Sequence, residues 1–253
     1  MNRDIPISSE ILAKIRAAQA VAVLSGAGIS AASGIPTFRG PEGLWKNYRP
    51  EELATYDAFI KNPKLVWEWY SWRKNLISQV KPNLAHYALV ELENFFREIT
   101  IITQNVDNLH ILAGSKKVIE LHGNIMRSKC SICSKPYLER FNPQLQIPHC
   151  TDCGALIRPA VVWFGEMLPL SAIEEARKII ADCEILFVVG TSGVVEPAAS
   201  LPDLAKTGTA AVIEVNPEAT ILSQLADEVC RMPADQFFPW LVKSLAFNRK
   251  GKY

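Results

Sequence analysis

Two cysteine pairs, Cys130/Cys133 and Cys150/Cys153, carry the plainest chemical meaning in this chain. Each is a CxxC turn that presents two thiolates to one side of an ion, and sixteen residues separate the pairs. That is four-cysteine zinc spacing. Four sulfur ligands complete a tetrahedron and leave no open position, so the expected ion is structural. A redox CxxC is the competing reading, weakened because two pairs occur together. A nucleic-acid zinc ribbon is another, weakened by the low local charge. His149, beside Cys150, is a less suitable ligand.

A second candidate is Gly26-Ala27-Gly28-Ile29-Ser30-Ala31, directly after an apolar run. Glycine at the first and third positions permits a tight turn and close approach of backbone N–H groups to a phosphate. A glycine turn without a ligand is the plainer alternative. In a dehydrogenase, a second strand ending in an acid would follow soon. Here the proline- and glycine-punctuated loop Ser33–Pro41 intervenes, with Phe38 and Arg39 inside it. A loop of this kind can close over a cofactor and exclude water, which favours chemistry on the cofactor over hydride transfer. A third cluster, Gln104-Asn105-Val106-Asp107-Asn108-Leu109-His110, follows another apolar run. Asp107 suits a carboxamide nitrogen, Asn105 a ribose or water, and Gln104 a ribose hydroxyl; a polar loop with an Asx-turn fits equally. His122 is a candidate proton acceptor near neutral pH, against the common case of a satisfied structural histidine.

These groups need a frame. Val21–Ser25, Ile99–Thr103, Ile185–Val189 and Ala210–Val215 read as buried parallel strands. Helical patterns cover Ser8–Ala20, Ala85–Phe96, Ser171–Asp182 and Glu218–Leu225, with Ser8 and Ser9 offering N-caps and Ser171 a capping box with Glu174. The expected fold is α/β: a Rossmann-like parallel sheet with helices on both faces, plus a small lobe. Residues 1–34, 83–124 and 158–253 are expected to form the Rossmann-like domain. Residues 35–82 form a cofactor loop and helical insertion, with a strong helix near Asn62–Val80, and 125–157 the zinc module. The 253 residues carry a formal net charge of +1, which gives no electrostatic pull toward nucleic acid or an anionic membrane. No secretory signal and no apolar run of membrane-spanning length is evident, so a cytoplasmic protein is expected. Cys183 and Cys230 read as core residues.

In order along the chain, Gly26-Ala-Gly-Ile-Ser30, Gly34-Ile-Pro-Thr-Phe-Arg39, Thr103-Gln-Asn-Val-Asp-Asn-Leu-His110, Leu121-His-Gly123, the four cysteines, Arg158-Pro-Ala-Val-Val-Trp-Phe-Gly-Glu166, Gly190-Thr-Ser192 and Glu214-Val-Asn216 together resemble one family. It is the sirtuins, NAD-dependent protein-lysine deacylases. The resemblance implies NAD as a consumed co-substrate, one structural zinc ion, and acyl-lysine protein substrates bound as extended peptides. It implies that Gly26, Ala27, Gly28, Ser30, Ile35, Phe38, Arg39 and Trp45 cradle the cofactor. Gln104, Asn105, Val106 and Asp107 would hold the nicotinamide ribose and carboxamide. His122 would be the general base, with Asn105 as the second catalytic residue. Gly190, Thr191 and Ser192 would meet phosphate and adenosine ribose, and Asn216, Pro217, Glu218 and Ala234 the adenosine end. The acyl oxygen would attack the ribose carbon bearing nicotinamide, and the base-activated hydroxyl would complete transfer, giving free lysine and O-acyl-ADP-ribose. Val161, Val162, Trp163, Phe164, Gly165 and Glu166 are expected to form a strand that pairs with the substrate backbone; a core strand is the simpler alternative.

Two positions depart from the family pattern. Thr37 stands where many sirtuins carry Asp, and Ala32 where Glu is frequent. The former resembles a subgroup that also carries the pair Tyr70 and Arg73, with Ala54 as a small residue that leaves room. Spacing of three puts Tyr70 and Arg73 on one helix face, where a guanidinium can grip a carboxylate while a phenol donates to it. Succinyl or malonyl chains would fit; a surface arginine beside an aromatic core stripe is the alternative. Mono-ADP-ribosyl transfer and a non-catalytic NAD sensor are the competing functions. Oligomeric state is not legible.

Overall fold

A computed structural model describes residues 6–37 and 49–249. Helix α1 (Ser9–Ala17) starts where the Ser8 side chain accepts from the Ile11 amide and leads into β1 (Ala20–Ser25). A 3-10 turn, Ala27–Ser33, follows. The insertion holds α2 (Pro50–Leu53), α3 (Tyr56–Lys61) and α4 (Pro63–Ser78). Then come α5 (Leu84–Leu92), β2 (Glu98–Thr103), α6 (Leu109–Ala113), β3 (Val118–Glu120), β4 (Gly123–Cys130), β5 (Pro136–Tyr137) and β6 (Ile157–Val161). The chain closes with α7 (Leu170–Asp182), β7 (Ile185–Val189), α8 (Leu201–Thr207), β8 (Ala211–Val215), β9 (Glu228–Cys230) and α9 (Ala234–Arg249).

Six parallel strands lie in the order β3-β2-β1-β7-β8-β9. Numbered within the sheet this is 3-2-1-4-5-6, the doubly wound order whose direction of growth reverses between the first and fourth strands. Alternation along β1 explains the two layers. Val21 and Val23 enter a core with Ile11 and Ile15 of α1, Leu89 of α5 and Phe237 of α9. Ala22 and Leu24 enter the opposite core with Ile173 and Ile180 of α7 and Leu201 of α8. Helices therefore cover both faces, as expected. No helix of the described residues is long and apolar enough to cross a membrane.

A third core joins α3 and α4 to an antiparallel sheet in the order β5-β4-β6. Trp67 of α4 donates its indole N–H to the Ile157 carbonyl at 2.9 Å and meets Phe141 edge-on at 5.1 Å. The expected boundary at 124/125 falls within β4, which begins at Gly123.

Three local expectations are corrected. The helix expected at Glu218–Leu225 is only a 3-10 turn, Ile221–Gln224, because Thr220 and Ser223 cap it and both hydroxyls are tied to Glu214. The helix expected from Ser171 begins at Leu170 with no side-chain cap; the Pro169 carbonyl instead accepts from the Ala172 and Ile173 amides. The strand expected over Val161–Glu166 stops at Val161. The Glu166 carboxylate captures the Trp163 amide at 2.8 Å, and Gly165 adopts φ +84°, which turns the chain.

Candidate active site

The direction of sheet growth reverses between β1 and β7, and the loops after these strands touch. Gly28 donates its amide to the Gly190 carbonyl at 2.8 Å, and Gly26 donates to Val189 at 2.9 Å. A Cβ on Gly28 would stand 2.7 Å from the Gly190 Cα. The glycines therefore serve loop-on-loop packing, and their amides are committed to backbone carbonyls; no amide of theirs is left to meet a phosphate. Ligands of open α/β sheets lie in the crevice outside such a reversal point. Here that crevice is a continuous cavity of about 1280 Å³.

Its floor is the segment after β2. Gln104, Asn105 and Val106 line it, and Asp107 lies beneath, buried. Asn105 donates to the Gly26 carbonyl at 3.1 Å and to Ser30 Oγ at 3.2 Å. Ser30 Oγ donates to Asp107 at 2.7 Å, while the other Asp107 oxygen accepts from the Leu109 amide. Burial raises the Asp107 pKa; those hydrogen bonds and the Arg73 charge oppose it. Ser30 and Asp107 thus brace the floor from below, and Ile35 is packed into the third core.

His122 enters the cavity just before β4. Its Nδ1 lies 2.9 Å from the Gln104 carbonyl oxygen. A carbonyl only accepts, so Nδ1 carries the proton and Nε2 keeps its lone pair. Burial lowers the pKa and the bond to Gln104 raises it, with burial the larger effect. A neutral imidazole with a basic Nε2 is the result.

At one end of the cavity are Ala54, Trp69, Tyr70, Arg73 and Val161–Glu166. The Trp163 indole donates to the Tyr70 hydroxyl at 2.8 Å, and burial pushes the Tyr70 pKa up to about 12. Tyr70 therefore stays a neutral phenol, and its hydroxyl proton has no acceptor among the described residues. The Arg73 guanidinium, in a residue only 6% exposed, sits 4.8 Å from the Trp69 ring centroid. Phe164 donates its amide to the Ala54 carbonyl at 2.9 Å. Glu166 is committed elsewhere: both its oxygens receive the buried Arg158, whose guanidinium stacks on Trp163.

At the other end are Gly190, Thr191, Ser192, Asn216, Pro217, Glu218 and Ala234. Gln104 Nε2 donates to Thr191 Oγ1 at 3.1 Å, and Asn216 Nδ2 donates to the Thr191 carbonyl at 3.1 Å. One buried carboxylate, Glu214, gathers Thr220, Ser223 and Arg231 and so fixes the loop beyond β8.

The lining also includes residues that sequence reasoning passed over. Trp69 was readable as the i−4 neighbour of Arg73. Thr220, Gln224 and Gln236 come from the loop beyond β8 and from α9, and no motif marks them. Phe38, Arg39 and Trp45 lie outside the described residues.

The four cysteines gather away from this cavity. Their sulfurs all lie within 4.8 Å of one another, with Cys130 to Cys153 at 3.3 Å and Cys133 to Cys150 at 3.6 Å. A tetrahedron with metal–sulfur bonds of about 2.3 Å has sulfurs about 3.8 Å apart. The set fits one zinc ion with all four positions filled by protein.

Residues 26–197 match the model of the Sir2 family. Over 208 residues the chain is 54% identical to the NAD-dependent protein deacylase of Aquifex aeolicus (strain VF5), covering 82% of this chain and 87% of that protein. Over 224 residues it is 52% identical to the NAD-dependent protein deacylase of Pyrococcus abyssi (strain GE5 / Orsay), with 86% and 90% covered. A solved Sir2 homolog–NAD complex matches with a TM-score of 0.88 at 43% identity, covering 95% of this chain and 94% of that one. A Sir2–p53 peptide–NAD+ complex matches with a TM-score of 0.83 at 36% identity, covering 94% and 98%.

Proposed function

Because this chain belongs to the Sir2 family, we propose that it removes acyl groups from protein lysines in an NAD-dependent reaction, acidic acyl chains among them. The observation that carries this is the locked tautomer of His122: its Nδ1–H is given to Gln104, so the Nε2 lone pair is free to take a proton inside the cavity.

The residues present suit NAD. Gly190, Thr191, Ser192, Asn216, Pro217, Glu218 and Ala234 would hold its adenosine end, and Gln104, Asn105 and Val106 its nicotinamide end. Gly26, Ala27, Gly28, Ser30 and Asp107 shape that crevice, as Ile35, Phe38, Arg39 and Trp45 would on the family's pattern. Bound NAD supplies an electrophilic ribose carbon, releases nicotinamide and carries the acyl group away as O-acyl-ADP-ribose. His122 acts as general base, accepting a hydroxyl proton at Nε2. The step needs bulk water kept out, and substrates filling the cavity would do that. We assign residues 1–34, 83–124 and 158–253 to the cofactor-binding domain, 35–82 to the insertion and 125–157 to the zinc module.

The acyl-lysine substrate enters as an extended peptide along Val161–Glu166, where Phe164 already bridges in parallel to Thr55. Arg73, with Tyr70 beside it and Ala54 leaving space, receives a succinyl or malonyl carboxylate. A guanidinium lining a cavity among aromatic rings supports that assignment, since charge-assisted bonds gain strength where water is scarce.

The test is a panel of acetyl-, succinyl- and malonyl-lysine peptides incubated with NAD. Nicotinamide and free lysine should appear together, without NADH absorbance. Arg73→Met should cost desuccinylation about 10- to 100-fold, the equivalent of a lost charged hydrogen bond, and deacetylation far less. Equal losses toward both would remove the carboxylate role. ADP-ribose on protein, with the peptide acyl group retained, would make the chain a transferase.

A further inference from the structure

Trp163, on the segment after β6, is only 2% exposed and is held from several sides. Its amide donates to the Glu166 carboxylate at 2.8 Å. Its ring lies 3.2 Å from the Arg158 guanidinium carbon and 5.3 Å from the Phe59 ring of α3, centroid to centroid. Arg158 is itself fixed, giving hydrogens to both Glu166 oxygens and to the Val161 carbonyl. From this anchored ring the indole N–H crosses to α4 and donates to the Tyr70 hydroxyl at 2.8 Å.

That bond fixes the direction of a hydroxyl inside the cavity. An indole nitrogen only donates, so the Tyr70 oxygen accepts, and its one hydrogen is turned away from Trp163. A phenol hydrogen lies near the ring plane and has two such positions; the indole removes one of them. Tyr70 lines the cavity with Ala54 and Arg73, and Arg73 follows one helical turn later. Burial, with the pKa pushed up to about 12, keeps the phenol protonated and able to donate.

We propose that Trp163 is a positioning residue for acidic acyl chains, its indole N–H presetting the Tyr70 hydroxyl to donate to the carboxylate that Arg73 receives. A hydroxyl oriented before the substrate arrives loses less freedom on binding. An acetyl group has no carboxylate to take the phenol hydrogen, so the effect belongs to acidic chains. The segment along the peptide path thus also takes part in selecting the acyl group. Phenylalanine in this place keeps a ring for Arg158 and Phe59 but lacks the donor.

The selectivity claim rests on the acyl-pocket reading; the hydrogen bond beneath it does not. In the zinc-loaded full chain, Trp163→Phe should lower the succinyl-to-acetyl ratio of kcat/KM about 5-fold, the weight of one neutral hydrogen bond. Tyr70→Phe should lower the same ratio, and adding Trp163→Phe to it should lower it no further, because the two act through one bond. An unchanged ratio in Trp163→Phe, or additive losses in the double variant, overturns the proposal. Nitrogen-15 NMR reads the bond without turnover and without the Trp163 variant. The assigned Trp163 indole proton should move upfield and exchange faster in Tyr70→Phe; an unmoved resonance also overturns it. Wild type that turns over acetyl- but not succinyl- or malonyl-lysine removes the acidic-chain reading, and the role of Trp163 with it. A wild-type preference for succinyl-lysine that survives Trp163→Phe removes only the role of Trp163.

Discussion

The Nδ1–H of His122 is spent on the Gln104 carbonyl, which settles the tautomer and leaves a lone pair on Nε2, the atom proposed as the base. Burial disfavours the imidazolium, so the pKa lies below the ordinary 6.5. On the proposed mechanism the active form is the neutral one. It is full above pH 6.5 and is lost as pH falls through the lowered value. A kcat–pH profile should therefore show its acidic inflection below 6.5; an inflection above it would mean another group is titrating. Glu166 illustrates the opposite case. Its place in the motif suggests substrate contact; it lines the cavity, with its carboxylate held by Arg158 and the Trp163 amide. Sequence reveals which residue is present but not which partner has already claimed it.

Among the elements, the zinc module bears on the site through α4. Cys130 ends β4, the strand that begins next to His122, and Cys130 and Trp67 share one core. Metal binding in small modules is folding energy. Chelation should therefore release one zinc per chain and weaken the packing that fixes Tyr70 and Arg73. With the third core retaining part of the fold, a loss of about 4 kcal/mol lowers Tm by roughly 10 °C. Calorimetry before and after chelation reads this directly, and an unchanged Tm would show the cysteines to be dispensable. The cysteine pattern was readable because ligand spacing is local. The end of β6 was not, because a contact between Glu166 and Trp163 decides it.

For the whole molecule, the decisive contact is between the loops after β1 and β7. A Cβ at Gly28 meets backbone, which cannot swing aside as a side chain can. Gly28→Ala should force the loops apart, raise the KM for NAD and destabilise the fold by about 2 kcal/mol, as overpacking does. Gly208→Ala is the control, since its Cβ finds nothing nearer than 3.6 Å. Urea titration of both variants measures the difference; equal stability would mean that the loops yield freely. The glycine motif was visible in the sequence, but its partner Gly190 lies far along the chain.

What the sequence determined by itself is whatever depends on local order: strand and helix periodicity, the CxxC turns, and the run of motifs that marks the family. Only the tertiary structure decided which hydrogen bonds those groups had already spent. The Gly28 amide, the Nδ1–H of His122 and the Glu166 carboxylate all find partners fixed by the fold. A side chain's chemistry follows from the lone pairs and protons left over after folding. That remainder is set by long-range contacts, which local sequence does not encode.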